Sequence, residues 1–376
     1  MRRRALLTLE FMPAHGGIER VLHERARRAA PERLTVFAPW TEGAEEFDAR
    51  QPFAVRRSRS ALFGIPLVGA ALKALAPWRA FLREHRREPF AQLECGQAFP
   101  YPVLASLCPH ARTLPRLVWV HGNDLLKIAR LPVVGPLLRR SLRGSDRVIV
   151  LSSAVRELVA GAGVDPARIR TVRHTIDARR FGPAAPDPEL VRRHGLAGRR
   201  PILTVGRLVE RKGVDRVIEA LPGLAAAHPD LVYLVAGSGP QEAALRALAR
   251  KLGVEDRVRF IGAVADADLP RVYNLATVFV MPSRFISRKA TIEGFGLVYL
   301  EAGASGLPIV AGRSGGVTDV VRHAENGLLV DPDSPAQIAE AVGFLLEHPE
   351  EARRMGERGR AQALEPANWE VLSLGG

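Results

Sequence analysis

Residues 293–301 read EGFGLVYLE, and the chain continues AGASGLPIVAGRSGGVTDVV as far as residue 321. Gly294 and Gly296 disfavour a single helix through the whole stretch, so we predict a loop at Glu293 and a helix that begins near Leu297. The apolar run at 308–310 then predicts a buried strand. A helix followed by a short buried strand is the repeating unit of a parallel sheet that is covered by helices on both faces.

The same alternation of short apolar runs and helical patterns occurs in both halves of the chain. We predict strands at 5–9, 34–38, 117–120, 147–151 and 169–173, and then at 202–205, 232–236, 258–261, 278–281 and 308–310. The pattern indicates an α/β protein with two Rossmann-like, doubly wound parallel-sheet domains that face each other across a cleft. A proline-rich stretch, FGPAAPDP, separates the halves because proline continues neither helices nor sheet ladders. We place the domains at 1–182 and 189–362, the linker at 183–188, and a tail at 363–376 that returns to the first domain.

The composition is that of a globular chain with an uneven charge distribution. The 376 residues are 47% hydrophobic and 25% charged, and their net charge is +14. Residues 1–186 hold 31 basic and 16 acidic side chains, whereas the remainder holds 23 and 24. Two cysteines without a CxxC pair exclude a disulfide framework and a cysteine zinc site. No apolar stretch reaches the roughly 20 residues that a spanning helix needs.

Charged residues at predicted strand ends suggest a site for an anionic, hydroxyl-rich ligand. Glu293 and Glu301 can each accept hydrogen bonds from sugar or ribose diols, and the amides at the start of the helix near Leu297 can hold an anion. Arg207 and Lys212 follow the predicted strand at 202–205 and can neutralise neighbouring phosphates. A solvated surface cluster is the alternative for these two cations.

Paired glycines and an aspartate pair are weaker signals. Gly16 and Gly17 open a predicted helix whose amides suit a diphosphate, although a tight turn explains them equally well. Asp331 and Asp333 have the spacing of a metal-binding DxD motif, but the prolines and Ser334 around them predict a turn and a helix N-cap. We therefore predict no metal site.

Several motifs together resemble one known family. They are GGIER, HGND, GRLVERKG, VAGSGP, EGFGLVYLEAGASGLPIV and NGLLVDPD, and they are densest between residues 201 and 333. Their order is similar to that of the family-4 glycosyltransferases of the GT-B fold. The resemblance implies transfer of a sugar, with retention of its anomeric configuration, from a nucleotide-diphosphate donor bound mainly by the second domain.

The resemblance also implies residue roles. It assigns the diphosphate to Arg207 and Lys212, the ribose hydroxyls to Glu301, and the donor sugar to Glu293. The backbone amides that would contact the donor belong to Gly294, Phe295, Gly296 and Leu297, and the first-domain loop that approaches the diphosphate carries Gly16 and Gly17. His121 matches a histidine near the donor sugar and the acceptor. One departure is an insertion at 287–292, which adds basic residues beside the donor site.

The function implied by the resemblance is a retaining hexosyltransferase. It would move a mannose- or glucose-type sugar from a GDP- or UDP-linked donor, without a metal, to a lipid, lipid-linked or polysaccharide acceptor in cell-envelope synthesis. Alternatives within the fold are a nucleotide-sugar epimerase and a glycogen-synthase-like enzyme. A non-catalytic basic adaptor that binds membrane or nucleic acid is an alternative from another class.

The basic first half predicts an anionic partner. Arginines flank an apolar helical pattern within residues 54–90, which bears Leu62, Ile65, Leu72, Leu75 and Trp78 and suits an interfacial helix on anionic lipid. Residues 127–147 form a second basic stretch. An ordinary helix that covers the core is the alternative. We predict no nucleic-acid partner, because few aromatic residues accompany the basic ones, and a cytoplasmic protein that lies at the inner face of the membrane.

Overall fold

The structure is a computed structural model that describes residues 3–14, 16–29, 34–59, 66–174, 176–177, 179–366, 368 and 372, without side chains for 66–71. Contacts divide the chain into two compact units. The first comprises residues 1–174 together with 368–376, and the second comprises residues 175–367. Among the helices described, none combines the length and the apolar character that crossing a bilayer requires.

The first unit contains a seven-stranded parallel sheet. Its strands are β1 (Arg4–Leu7), β2 (Leu34–Pro39), β3 (Ala54–Ser58), β4 (Gln92–Cys95), β5 (Arg116–Trp119), β6 (Arg147–Val150) and β7 (Ile169–Thr171). They lie in the order β3-β2-β1-β4-β5-β6-β7. The helices are α1 (Gly17–Arg28), α2 (Ala44–Ala49), α3 (Pro66–Arg87), α4 (Tyr101–Leu107), α5 (Asn123–Ile128), α6 (Val134–Arg143) and α7 (Ser153–Gly161).

The second unit contains a six-stranded parallel sheet. Its strands are β8 (Arg200–Val205), β9 (Leu231–Ala236), β10 (Val258–Gly262), β11 (Val278–Met281), β12 (Ile309–Gly312) and β13 (Gly327–Val330), in the order β10-β9-β8-β11-β12-β13. The helices are α8 (Pro188–His194), α9 (Val214–Ala227), α10 (Glu242–Lys251), α11 (Leu269–Tyr273), α12 (Leu297–Ala304), α13 (Val317–Val320), α14 (Pro335–Glu347) and α15 (Pro349–Ala363).

Strand order determines where each sheet opens. In the first unit the order reverses between β1 and β4, and in the second unit it reverses between β8 and β11. At such a switch point the following helices pass to opposite faces, which leaves a crevice beyond the carboxyl ends of the two strands. The strands that flank these points are almost wholly buried, as continuous apolar runs in a doubly covered parallel sheet require.

The predicted fold class is confirmed, and so are most of its elements. The helix predicted at 214–227 is α9, and the helix predicted near Leu297 is α12. Three strands were missed: β3, β4 and β13. The sequence of β3, AVRRS, lacks an apolar face because β3 is an edge strand. The sequence of β4, QLEC, contains Glu94, which is buried in an ion pair with Arg25 and so breaks the apolar run.

The division into units lies at residues 174 and 175, before the predicted linker. Asn274 binds this segment, since its Nδ2 donates to the Gly182 carbonyl at 3.0 Å and its Oδ1 accepts from the Ala184 amide at 2.8 Å. Residues 182–184 thus pack with the second unit. In the tail, Asn368 accepts from the Arg173 amide at 2.6 Å. The predicted domain limits stay predictions.

The described part of α3 covers the core of the first unit. Ala74, Trp78 and Phe81 are buried, and Phe81 packs edge-on against Phe37 of β2 with ring centroids 5.8 Å apart. Leu62 and Ile65, which the interfacial-helix prediction also used, lie outside the described residues. Leu72 and Leu75 of the same predicted face are half-buried, so the described apolar residues named here are covered by the protein wholly or in part.

Candidate active site

The switch point of the second unit gathers most of the residues that we predicted. Arg207 and Lys212 follow β8, and Ser283 and Glu293 follow β11. Because β8 and β11 are adjacent parallel strands, their carboxyl ends lie side by side. Residues more than eighty positions apart in the sequence therefore come together at one edge of the sheet.

Lys212 and Glu293 form a buried ion pair at this edge. The Lys212 Nζ lies 2.7 Å from Glu293 Oε2, and each side chain is only 9% exposed. Ser283 Oγ donates to the same carboxylate oxygen at 3.3 Å. Burial lowers the pKa of the Lys212 ammonium. Burial acts to raise the pKa of Glu293, but the positive charges of Lys212 and Arg211 outweigh it and hold that pKa below its ordinary value.

Two glycines allow the backbone to fold this tightly. Gly213 has φ 73° and separates the turn that bears Lys212 from α9, and a Cβ there would overlap the carbonyl oxygen of Pro282. Gly296 has φ 92° and caps α12, and a Cβ there would lie 2.5 Å from the ring of Tyr299. Both positions need glycine for its left-handed conformation and for its missing side chain.

Arg207 and Arg211 are the other cations of the site. Arg207 is exposed, and its charge contributes to the lowered pKa of Lys212, so the two side chains lie near each other. Arg211 is half-buried, and its charge acts on both Lys212 and Glu293. Lys212 and Arg211 thus act on one buried carboxylate and Arg207 lies near Lys212, which leaves an excess of positive charge at the carboxyl ends of β8 and β11.

Glu301 lies in the second turn of α12 and is buried. It is 2% exposed, and its Oε2 accepts a hydrogen bond from the Tyr273 hydroxyl at 2.7 Å. Residues 294–297 form the loop and the start of the helix that we predicted, and Phe295 and Leu297 are each 9% exposed. Glu293 and Glu301 are thus both held by protein partners, one before the helix and one inside it.

The switch point of the first unit is built differently. Gly16 and Gly17 begin α1, and the carboxylate of Glu19 lies so close to Gly16 that a Cβ there would come within 2.7 Å of Glu19 Cδ. His121, after β5, is half-buried, and its Nε2 lies 2.8 Å from the carbonyl oxygen of Gly96, after β4. Because a carbonyl only accepts, Nε2 carries the proton. Gly16 and His121 thus each lie beyond a strand end of the same sheet.

The inserted segment is tied to the loop that bears Lys212. Glu210 forms ion pairs with Arg288 and with Lys289, the latter at 2.6 Å, and these contacts lower the pKa of Glu210 to about 2. Arg284 is buried and donates two hydrogen bonds to Asp215, at 3.1 and 2.7 Å. The basic residues of the insertion are therefore partly neutralised by α9 and the turn before it.

The predicted turn at Asp331 and Asp333 is present. Asp331 accepts from the amide of Asp333 at 3.0 Å, and Ser334 caps α14 by accepting from the Gln337 amide at 3.3 Å. Within the described ranges no three histidine, cysteine, aspartate or glutamate side chains are grouped so that they could hold a metal ion.

Family models match both units of the chain. The model for glycosyl transferases group 1 matches residues 187–362, and the model for glycosyltransferase family 4 matches residues 15–180. The chain belongs to the group 1 glycosyltransferases. A glycosyltransferase needs a place for a sugar donor, and the cationic crevice at β8 and β11 lies within the region that the first model matches.

Characterised relatives match the glycosyltransferase over nearly its whole length. The Mycobacterium tuberculosis GDP-mannose-dependent alpha-(1-6)-phosphatidylinositol monomannoside mannosyltransferase is 35% identical over 99% of this chain and 96% of its own. A Corynebacterium glutamicum mannosyltransferase, which acts on the monoacylated form of that lipid, is 31% identical over 99% and 96%. The glycosyltransferase is also similar to M. tuberculosis glycogen synthase, at 33% identity over 62% of this chain and 53% of that enzyme.

Solved structures confirm the GT-B fold of the glycosyltransferase. Anabaena HepE, crystallised with UDP and glucose, superimposes with a TM-score of 0.78 over 96% of this chain and 95% of its own at 20% identity. Sucrose-phosphate synthase from Thermosynechococcus elongatus gives a TM-score of 0.78 over 99% and 96% at 24% identity. At these identities the likeness establishes the fold.

Sequence reasoning missed three parts of the site in the glycosyltransferase. No role was predicted for Ser283, and none was predicted for Arg211, which is adjacent to Lys212 in the sequence. The amide of Gly316 donates to the carbonyl oxygen of Glu293 at 2.9 Å, so the SGG turn after β12 fixes the loop of Glu293. The signal for this turn was present, because a glycine pair directly after a predicted strand marks a close approach of backbone segments.

Proposed function

We propose that the protein transfers a mannosyl group from GDP-mannose to a hydroxyl of a phosphatidylinositol mannoside. The proposal rests on the buried Lys212–Glu293 pair at the switch point of the second unit. It is supported by relatives that use GDP-mannose and this class of lipid and match almost the full length. In its general form, the proposal is the transfer of a hexose from a nucleotide-linked donor to a lipid acceptor in envelope synthesis.

The ion pair would exchange partners when the donor binds. A diphosphate carries more negative charge than one carboxylate, so it draws Lys212 and the exposed Arg207 to its oxygens. Glu293 then loses its cation and becomes an acceptor for sugar hydroxyls at the same place. The pair thereby keeps both side chains positioned before the donor arrives, which limits the reorganisation needed during the reaction.

We infer retention of configuration by displacement on one face of the sugar. The acceptor oxygen forms the new bond to the anomeric carbon as the bond to the diphosphate breaks, and the departing diphosphate oxygen takes the acceptor proton. The proposal assigns Glu293 to the sugar hydroxyls, and Glu301 is held by Tyr273, so it uses neither carboxylate as a covalent nucleophile. Arg207, Lys212 and the amides of α12 stabilise the leaving group, and the proposal assigns no metal to this step.

Donor choice is tested by melting temperature. We expect GDP and GDP-mannose to raise it in the presence of EDTA, by an amount that grows with ligand concentration, and UDP and UDP-glucose to raise it less. NMR of the glycolipid product then reports the anomeric configuration. Absence of a shift with any nucleotide sugar would contradict the proposed function, and an inverted product would contradict the mechanism.

The lipid acceptor places the reaction at a membrane. We propose that the protein works as a peripheral protein at the inner face, where a water-soluble donor and a bilayer-embedded acceptor meet. The net positive charge of residues 1–186 supports this placement, because the cytoplasmic leaflet is negatively charged.

A further inference from the structure

One surface of the first unit concentrates exposed apolar side chains. Six large hydrophobic side chains are exposed in the described part of the chain, and three of them belong to this surface: Leu107, Val133 and Leu137, at 65%, 72% and 38%. We call it the α4–α6 surface and define it by those three residues with Lys127, Arg140 and Arg143. The other three hydrophobic side chains, Phe285, Phe344 and Leu364, belong to the second unit.

Helix packing brings these residues onto one face. Ser106 on α4 and Ser141 on α6 face each other with their hydroxyl oxygens 3.0 Å apart, which places Leu107 beside the last turns of α6. Leu138 and Leu142 point into the core. Val133, Leu137 and Arg140 follow one another at helical spacing on the opposite, exposed side.

The charge on this part of the chain is one-sided. Residues 96–150 contain eight basic and two acidic side chains. Both carboxylates bind backbone amides: Asp124 accepts from Ala98 at 2.8 Å and from His121 at 3.0 Å, and Asp146 accepts from Arg116 at 2.7 Å. They are therefore committed to holding loops, while Lys127, Arg140 and Arg143 are exposed to the solvent.

The exposed cations of the α4–α6 surface differ from those elsewhere. Lys127, Arg140 and Arg143 form no ion pair with any residue that the structure describes. On α15, by contrast, Arg353 pairs with Glu350 and Glu357, and Arg354 pairs with Glu351. Pairing along the helix neutralises Arg353 and Arg354, whereas Arg140 and Arg143 of α6 have no carboxylate partner among the described residues and lie on the helix that bears the exposed Leu137.

We propose that the α4–α6 surface docks on an anionic lipid bilayer. The proposal rests on the proposed function, since a lipid acceptor requires the protein to reach a membrane. Apolar side chains that enter the interface, with cations among them that meet anionic headgroups, are the features of an interfacial helix. The proposal places the contact on α4 and α6 because Leu107 and Val133 are exposed there, whereas Trp78 and Phe81 of α3 are buried.

The fold connects the α4–α6 surface to the loop that bears His121, the residue that we expect near the acceptor. The loop that bears His121 leads into α5, and α5 leads into α6. Arg139 Nη1 donates to the carbonyl oxygen of Ala129 at 2.9 Å, and a Cβ on Gly135 would lie 2.5 Å from the same oxygen. α5 and α6 are thus packed closely, so docking of α6 fixes the position of the His121 loop relative to the bilayer.

Other partners fit the surface less well. A symmetric dimer through this face would place the unpaired cations of one copy against those of the other, which is destabilising. Single-stranded nucleic acid needs aromatic side chains for stacking, and the exposed residues that define the surface are aliphatic or basic. An anionic bilayer accepts both the charges and the aliphatic groups.

Vesicle flotation of the full-length protein tests the proposal. The vesicles are phosphatidylcholine alone or an equal mixture with phosphatidylglycerol. One variant removes the apolar groups (Leu107→Ser, Val133→Ser and Leu137→Ser) and a second removes the charges (Lys127→Gln, Arg140→Gln and Arg143→Gln). Matched controls in the second unit are Phe344→Ser with Leu364→Ser, and Arg353→Gln with Arg354→Gln.

We expect the wild type to bind the mixed vesicles, and more weakly as salt rises. Each variant of the α4–α6 surface should lower the partition coefficient by about tenfold or more, and each control should stay within about twofold of the wild type. Unchanged binding of both surface variants would overturn the proposal, and so would equal losses in the controls. Light scattering that shows a wild-type dimer dissociated by the apolar variant would also overturn it.

A second readout separates this proposal from the proposed function. The melting-temperature shift with GDP-mannose should be the same in the wild type and both surface variants, because none of the changed residues lies at the donor site. If no donor shifts the wild type, the proposed function fails while the vesicle result still stands. If the donor shifts all variants but none loses vesicle binding, only the docking surface is wrong.

Discussion

The two switch points share a topology and differ in charge. In the second unit, the Lys212 cation and the Glu293 carboxylate are buried together, and glycines bring backbone segments into close contact around them. In the first unit, His121 is half-buried and hydrogen-bonded to one carbonyl, and Glu19 lies against the start of α1. The unit with no net charge excess therefore holds the concentrated cationic site, while the basic unit carries its charge on surfaces such as α6.

This difference indicates how the work is divided. A buried cation site can stabilise a leaving diphosphate because the low local dielectric strengthens each interaction. A less polar crevice suits an acceptor hydroxyl, which is neutral before it reacts. Under the proposed function, the first unit then needs charge mainly to bind the membrane that contains the acceptor, and that charge is effective only where it is exposed.

The largest effect should come from Lys212 in the second unit. We expect Lys212→Met to lower kcat by about a hundredfold or more, by analogy with the loss of one electrostatic donor. The variant should also be less stable by about 3 kcal/mol or more, because it leaves Glu293 buried without its nearest cation. Steady-state kinetics and urea unfolding measure the two losses.

A double variant distinguishes the chemical loss from the loss of stability. Lys212→Met with Glu293→Gln removes both charges, so most of the stability should return while kcat stays low. Near-normal turnover of Lys212→Met would show that the second unit does not supply the cation. Recovery of activity in the double variant would show that Lys212 acts only through folding.

Backbone crowding at the same switch point should give the next largest effect. Gly213 and Gly253 have φ values of 73° and 66°, but only at Gly213 does a Cβ meet another atom, the carbonyl oxygen of Pro282. We expect Gly213→Ala to destabilise the protein by about 2 kcal/mol more than Gly253→Ala, which carries only the cost of the left-handed conformation.

Thermal unfolding checks this comparison. For a chain with units of this size, the extra loss corresponds to a melting temperature about 4 to 8 °C lower in Gly213→Ala than in Gly253→Ala. Donor binding should weaken in Gly213→Ala alone, because the turn that bears Lys212 must move. Equal melting temperatures would mean that the packing of β8 against β11 is looser than the structure indicates.

A substitution at the switch point of the first unit should have a smaller effect on activity, and the effect should appear in the kinetics of the acceptor. We expect His121→Ala to lower kcat/KM for the lipid acceptor by about tenfold, because the loop loses its hydrogen bond to Gly96 and the acceptor loses a neighbouring polar group. Donor affinity, measured by titration of GDP, should not change. His121→Gln can still donate to a carbonyl, so it should recover part of the loss if the role is positioning.

A fall in GDP affinity for His121→Ala would remove the contrast between the units. It would mean that the first switch point binds the donor as strongly as the second. An unchanged acceptor kcat/KM would instead show that the Gly96 contact is only structural.

The positions of the two switch points were predictable from the sequence, whereas some contacts and strands were not, for physical reasons. Glycine pairs and charged residues after apolar runs located both switch points, because parallel strands all end at one edge. The pairing of Lys212 with Glu293 was not predictable, since it depends on β8 and β11 being adjacent. Strand β4 was missed because the Arg25 partner that permits a buried Glu94 lies on α1.

Exposed surfaces were harder to predict, because they too depend on which segments of the chain pack together. The stretches at 54–90 and 127–147 share one arrangement of residue types, in which arginines lie around apolar residues. Only packing distinguishes them: Trp78 and Phe81 of α3 are buried in the core, whereas Val133, at the start of α6, and Leu137 are exposed to the solvent. A hydrophobic pattern indicates that one side of a helix is apolar, but it does not indicate what that side contacts.

The smallest effect should appear in the acid stability of the second unit. The pKa of Glu293 is held below its ordinary value of 4.5 by Lys212 and Arg211, against the effect of burial. The unfolded chain therefore binds a proton at higher pH than the folded one, so this contribution to stability is complete above pH 4.5 and is lost as the pH falls through the lowered pKa.

Urea midpoints measured between neutral pH and pH 3 should fall less steeply in Glu293→Gln than in the wild type. Glu340→Gln, a change of the same kind at an exposed position of α14, should leave the slope unaltered. Parallel slopes in all three proteins would mean that Glu293 titrates alike folded and unfolded, and the electrostatic contrast between the two switch points would then rest on Lys212 alone.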